Sequence, residues 1–261
     1  MKLDRLKGRE LVAQEFGRLD VIERREDVSR FMVHLTRDDR ADFIEDGGTA
    51  RENLISILQD KEIKAYNAYC YHHYKLNSLP KRIQEEFKVA CFSEAPLNEI
   101  KNLITPVEGQ RCRLAPYGLV FTKPWLLKKG AQPALYINCY GDNRIVRKAF
   151  DQVFYGSKEL KFADDKWRML PFVNVMQENH DFAWEREWRI VGGLKFSYGN
   201  VPCLVLPENG EDDIKESAAA NGIAWISTEW TFEKIFMMLA VQRRTLWKEA
   251  LGKYPGFGNL E

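Results

Sequence analysis

Trp184-Glu185-Arg186-Glu187-Trp188-Arg189-Ile190-Val191 reads as a β-strand that carries two carboxylates with one residue between them. Side chains alternate across a strand, so Glu185, Glu187 and Arg189 would share one face, and Arg186, Trp188 and Ile190 the other. Carboxylates held this close repel each other. One of such a pair tends to take a raised pKa, which is a common way to build an acid/base site. The same run also fits a solvated edge strand with surface charges, and the rest of the chain must decide between the two.

Upstream, Phe31-Met32-Val33-His34-Leu35-Thr36 alternates as a strand should, with Val33 and Leu35 facing one way and His34 and Thr36 the other. Residues 89–94, closed by Pro96, residues 117–121, and residues 133–137 leaving the turn at Gly130 are further strands. Downstream, Gly192-Gly193 marks a turn, and strands are predicted over residues 201–206 and 223–226. Apolar spacing predicts helices over residues 53–58, 124–129, 144–154, 212–220 and 233–251, and a helical lead-in over residues 1–30. Strands and helices intermingle without regular βαβ alternation, so the fold class is α+β. Residues 31–261 are expected to form one domain, with the C-terminal helix packed on it.

A chain of 261 residues with 45% hydrophobic and 30% charged residues can bury a full core. Its formal net charge of +1 gives no global field toward nucleic acid or membrane, so a nucleic-acid partner would need local basic patches. Such patches are offered by Arg111 and Arg113, Lys128 and Lys129, Arg144, Arg147 and Lys148, and Arg243 and Arg244. Each also reads as a solvated face. Five scattered cysteines, a charged N-terminus and no bilayer-length apolar run lead to the expectation of a cytoplasmic protein with no membrane partner. The glycine patterns of a Rossmann turn or a P-loop are absent, as is H-E-x-x-H, and adjacent His72 and His73 near Cys70 point in different directions. No metal is expected.

Taken in order, the chain shows His34-x-Thr36, the N-L-x-x-I-L helix at residues 53–58 and Cys91-Phe92-Ser93-Glu94. Tyr117-Gly118, Gly130-x-x-Pro133-x-x-Tyr136 and Glu185-x-Glu187-Trp188-Arg189 follow. This succession, over roughly residues 31–191, resembles bacterial abortive-infection proteins of the AbiGi kind. More distantly, it is similar to the ADP-ribosyltransferase superfamily, including DarT-type toxins. That resemblance implies a split mixed β-sheet core with flanking helices, and an NAD-dependent ADP-ribosyltransferase acting as a toxin in antiphage defence.

By the same resemblance, Glu187 would be the catalytic carboxylate and Glu185 would activate or orient the acceptor. His34 would hold the adenosine ribose with Thr36 beside it, and Phe92 and Ser93 would line the pocket. Phe92 or Tyr117 would stack on nicotinamide, and Arg189 would serve as counter-charge to Glu187. The middle motif departs from the Ser-Thr-Ser of many toxins. The chemistry suits these residues, because breaking the bond between ribose C1 and nicotinamide passes through an oxocarbenium-like cation that a carboxylate stabilises. The acceptor implied is nucleic acid, RNA or DNA, with a protein acceptor also open. A neutralising antitoxin would be a natural partner.

Two other readings stand beside this one. A non-enzymatic abortive-infection antitoxin or partner-binding protein would use some of Trp184, Trp188, Trp225 and Trp230 as exposed anchors. An NAD glycohydrolase would use the same residues with water as acceptor.

Overall fold

Adjacent Met32 and Val33 are both buried and point to opposite faces, so Phe31–Arg37 (β1) sits in the interior of the main sheet with both its faces covered. The computed structural model describes residues 28–39, 47–67, 70, 73–76, 78–106, 114–141, 144–156, 165–177 and 181–242. After β1 come β2 (Glu62–Ile63), β3 (Tyr66–Asn67), β4 (Lys88–Glu94), β5 (Leu114–Thr122) and β6 (Gln132–Pro133). Then follow β7 (Leu135–Asn138), β8 (Val173–Met176), β9 (Glu187–Val191), β10 (Leu194–Lys195), β11 (Cys203–Val205) and β12 (Ala224–Ile226). The longer helices are α1 (Ala50–Asp60), α2 (Ile145–Gly156), α3 (Asp212–Ala220) and α4 (Phe232–Gln242).

The main sheet runs in the order β12-β11-β5-β1-β4-β9-β6, and β3 also pairs with β4. Its pairings are antiparallel apart from the parallel pair β11–β12. Two small sheets stand beside it, β2 with β10 and β7 with β8. The protein is thus α+β, a large mixed sheet flanked by helices.

One face of the sheet buries Met32, Phe92, Leu119 and Phe121 against Leu54 of α1 and Ile214 of α3. Val33, Leu35, Val120 and Val205 point the other way, against Ile100, Trp230 and Ile235. Toward β4 and β9, Val89 packs with Phe87, Phe154 of α2, Trp167 and Leu170. Helix α1 starts where it does because Thr49 and Glu52 form a capping box, each side chain bonding the other's backbone N–H. Thr36 ties this helix to the sheet by bridging the carbonyls of Ala50 at 2.7 Å and Tyr117 at 3.1 Å.

The predicted strand over residues 184–191 is shorter than its sequence pattern. Ala183–Glu185 form a 3-10 turn, Arg186 takes a left-handed conformation with φ 46°, and the strand starts at Glu187. A positive φ breaks the extended backbone, and β4 ends at Glu94, whose N–H bonds the Arg186 carbonyl at 3.1 Å. Glu185 and Glu187 therefore belong to different elements.

The predicted strand over residues 133–137 divides into β6 and β7, which join different sheets about Ala134, whose N–H donates to the Glu187 carbonyl at 2.8 Å. Helices predicted over residues 53–58, 144–154 and 212–220 lie within α1, within one residue of α2, and on α3. Residues 1–27 of the predicted lead-in and 243–251 of the predicted last helix lie outside the described residues, as do His72, Arg111, Arg113, Arg243 and Arg244. No described helix is long and apolar enough to cross a membrane.

Candidate functional site

Strand β9 projects Glu187 and Arg189 from the same face, as alternation requires, and the two side chains form a closed pair. Arg189, only 1% exposed, donates from Nε to Glu187 Oε1 at 2.9 Å and from Nη2 to Oε2 at 2.8 Å. Its Nη1 donates to the Pro171 carbonyl at 2.6 Å. Burial alone would lower the pKa of this guanidinium; the Glu187 carboxylate outweighs it and the net shift is upward. A two-pronged guanidinium clamp fixes the carboxylate in orientation as well as charge. Tyr136, from β7, adds a hydroxyl donor to Glu187 Oε2 at 3.3 Å. Burial, then the Glu187 charge, raises the pKa of this phenol and keeps it protonated.

Glu185 sits differently, at the end of the 3-10 turn, and no described side chain hydrogen-bonds its carboxyl. Burial, and then the charge of Glu187, push its pKa up to about 7, against the pull of Arg189. Cys91 lies opposite Arg189 on β4, and burial followed by the Glu187 charge raises its thiol well above the ordinary range. It is a packed neighbour of the pair rather than a thiolate nucleophile.

Glu187 faces a cavity of about 350 Å³ lined also by Val28, Glu94, Pro133, Tyr136, Arg186 and Trp188. It opens where β4 ends and β9 begins, between the edge of the main sheet and β7. Glu94, at the last position of β4, accepts from Lys123 Nζ at 2.7 Å and from the Trp188 indole N–H at 3.0 Å, both at Oε2. Lys123 also stands 4.9 Å from the centre of the Trp188 ring. The volume lies toward the low end of small-molecule pockets, roughly 300–1,000 Å³. That volume has room for a nucleoside-sized group and is small for a whole dinucleotide.

Register separates the sequence-predicted residues into two sets. Ser93 pairs with Val33 on one side and Glu187 on the other, so Ser93, Cys91, Glu187 and Arg189 share a face. Phe92 pairs with Trp188 and stands 5.7 Å, centroid to centroid, from the His34 ring, so His34 and Phe92 occupy the opposite face. The expectation that His34 and Glu187 line one pocket does not hold. His34 Nδ1 is 2.8 Å from the Cys91 carbonyl, and desolvation lowers its pKa.

Thr36 is spent on its two backbone carbonyls. Phe92 is a core residue, 1% exposed. Tyr117 packs on the same face as His34 and donates its hydroxyl to Glu211 at 2.8 Å; burial, then that hydrogen bond, push its pKa up to about 12. None of these four lines the cavity. Among the four tryptophans, Trp230 is buried, Trp225 packs against it at 4.7 Å, Trp188 lines the cavity and Trp184 is exposed.

Glu94, Lys123 and Tyr136 complete the site without having been singled out as site residues. The signal for Glu94 is a carboxylate at the last strand position before Ala95-Pro96, where the chain leaves the sheet. Tyr136 stands in the Gly130-x-x-Pro133-x-x-Tyr136 motif, which gave it no role, and for Lys123 only the tertiary structure carries a signal. No group of three or more His, Cys, Asp or Glu side chains among the described residues is placed to hold a metal ion. The chain matches no family model, no curated protein and no solved structure.

Proposed function

We propose that the cavity is the active site of an NAD-dependent ADP-ribosyltransferase, which cleaves the ribose–nicotinamide bond and passes ADP-ribose to a macromolecular acceptor, nucleic acid first. The observation that carries this reading is the unequal acidic pair. Glu187 is clamped by Arg189 at the cavity wall, while Glu185, which does not itself line the cavity, has its pKa pushed up to about 7 by burial and then by the Glu187 charge. Two carboxylates in such different surroundings, one held by a guanidinium and one without a donor, can divide the roles of electrostatic stabiliser and proton acceptor.

In this reading the nicotinamide half of NAD enters the cavity and the rest of the dinucleotide lies outside it. The C1–N bond breaks with its electron pair leaving on nicotinamide, which departs neutral. The Glu187 carboxylate faces the oxocarbenium-like ribose and stabilises its positive charge. An acceptor O–H or N–H then attacks C1, and Glu185 in its deprotonated form takes the proton. His34, Thr36, Phe92 and Tyr117 have no part in it beyond shaping the sheet. The small sheet β7–β8 beside the β9 edge supplies the second wall, which is the sense in which we read the core as split and ADP-ribosyltransferase-like. The biological role that goes with this chemistry is that of a toxin in antiphage defence.

Incubation with labelled NAD and separate pools of RNA, DNA and protein tests the proposal, with label expected in one macromolecular pool. Glu187→Gln is expected to lower the rate by about 10²–10³-fold with the fold intact, as loss of one aligned electrostatic stabiliser does. Wild-type rates in that variant remove Glu187 from the mechanism. Free ADP-ribose without a labelled pool means water is the acceptor. A second reading, a partner-binding component without catalysis, draws on the exposed Phe232, Phe236, Met237 and Val241 of α4. It is the outcome if NAD is neither bound nor consumed.

A further inference from the structure

The two oxygens of Glu94 are used unequally. Lys123 and the Trp188 indole both bond Oε2, while Oε1 accepts no hydrogen bond from the described residues, on a side chain that lines the cavity and is only 11% exposed. Lys123 in turn is held over the Trp188 ring and is itself 19% exposed. The arrangement fixes the carboxylate in place and leaves one acceptor atom turned to no protein donor. A ligand entering this cavity can bring an N–H or O–H to that atom, and a hydrogen bond to a charged acceptor is among the stronger kind.

Resting on the glycosyl-transfer reading above, we infer that Glu94 is the residue that selects the leaving group, its Oε1 accepting an N–H of the nicotinamide carboxamide. A primary carboxamide carries two N–H donors, so it can satisfy this oxygen and keep one for solvent or backbone. A carboxylate at the same ring position offers no donor and adds a negative charge to a cavity already walled by Glu94 and Glu187. Sites built around such a hydrogen bond discriminate chiefly by leaving the wrong partner with an unpaired group. Glu94 is thus a specificity residue, and Lys123 and Trp188 are positioning residues that hold it.

The test compares NAD with nicotinic acid adenine dinucleotide, which differs only by the carboxylate in place of the carboxamide. With the wild-type chain, kcat/KM for NAD is expected to exceed that for the acid analogue by tenfold or more, about the worth of one charge-assisted hydrogen bond. In Glu94→Gln the new side chain can both donate and accept, so the preference should fall toward parity, with KM for NAD raised and kcat little changed. Glu187→Gln should do the reverse, losing kcat and keeping the preference in whatever turnover remains. If Glu94→Gln does not fold, Glu94→Asp, which withdraws the carboxylate by one methylene while keeping its charge, is expected to weaken the preference. A wild type that consumes both dinucleotides equally, or a folded variant at position 94 that keeps the full preference, overturns the assignment while leaving the transferase reading intact. A wild type that releases no nicotinamide from NAD in the presence of every acceptor pool overturns that reading, and the role of Glu94 falls with it.

Discussion

Glu185 and Glu187 bear the same functional group two positions apart, yet one is clamped by a buried guanidinium and the other has no described donor and titrates at about 7. If Glu185 is the proton acceptor, kcat/KM should rise with pH through about 7 as the carboxyl loses its proton, and Glu185→Gln should flatten that rise. Steady-state rates between about pH 5 and 9 decide it, and an unchanged profile in the variant excludes this role. The same shift also acts on stability.

The folded-state pKa lies above the unfolded value of about 4.3, so the folded protein binds more protons between the two values. The stabilisation tied to this group is complete below the unfolded pKa and is lost as pH rises through about 7. Glu185→Gln should therefore melt closer to wild type near pH 5 and above it near pH 8, by an amount on the order of 1–3 kcal/mol. Urea titrations at the two pH values measure the difference.

At the scale of elements, β1 and β5 approach each other so closely that a Cβ built on Gly118 would lie 2.4 Å from the His34 carbonyl oxygen. Gly118→Ala is expected to cost about 1–3 kcal/mol, the usual range for overpacking, because the obstacle is backbone and cannot swing aside. Denaturant unfolding of the variant measures the cost.

The strands around that contact were legible because apolar and polar residues alternate along residues 31–36, and because residues 89–94 form a short apolar run that turns polar just before Pro96. The early end of β9 was not legible. Its turn depends on a left-handed arginine rather than a glycine or asparagine, and nothing local marks Arg186 for that conformation. Strands of two residues, such as β2, β3, β6 and β10, are too short to carry a period at all.

Across the whole molecule, Glu187 and its arginine could be read from sequence because they depend on alternation within one strand, whereas Glu185 falls outside that strand. The placement of His34 could not be read. Whether the even residues of β1 share a face with the odd residues of β9 is decided by the register of both strands against β4, and a slip of one residue reverses the answer. Tyr136 and Lys123 reach the cavity region from β7 and from the short helix after β5, at sequence separations no local pattern spans. Binding should register on the molecule as a unit: NAD at about one hundred times its Kd is expected to add about 2.7 kcal/mol and lift Tm by several degrees. Glu187→Gln should keep that lift, and its loss would make Glu187 a binding residue instead.

Beyond β9 the main sheet ends in β6, two residues long and closing on Pro133. Proline has no N–H to lend to a further chain, and so brief a border gives an incoming strand little to zip onto. The flank that carries the acidic pair is thereby guarded against the edge-to-edge polymerisation that seeds fibrils, and the entrance beside it stays clear for solutes.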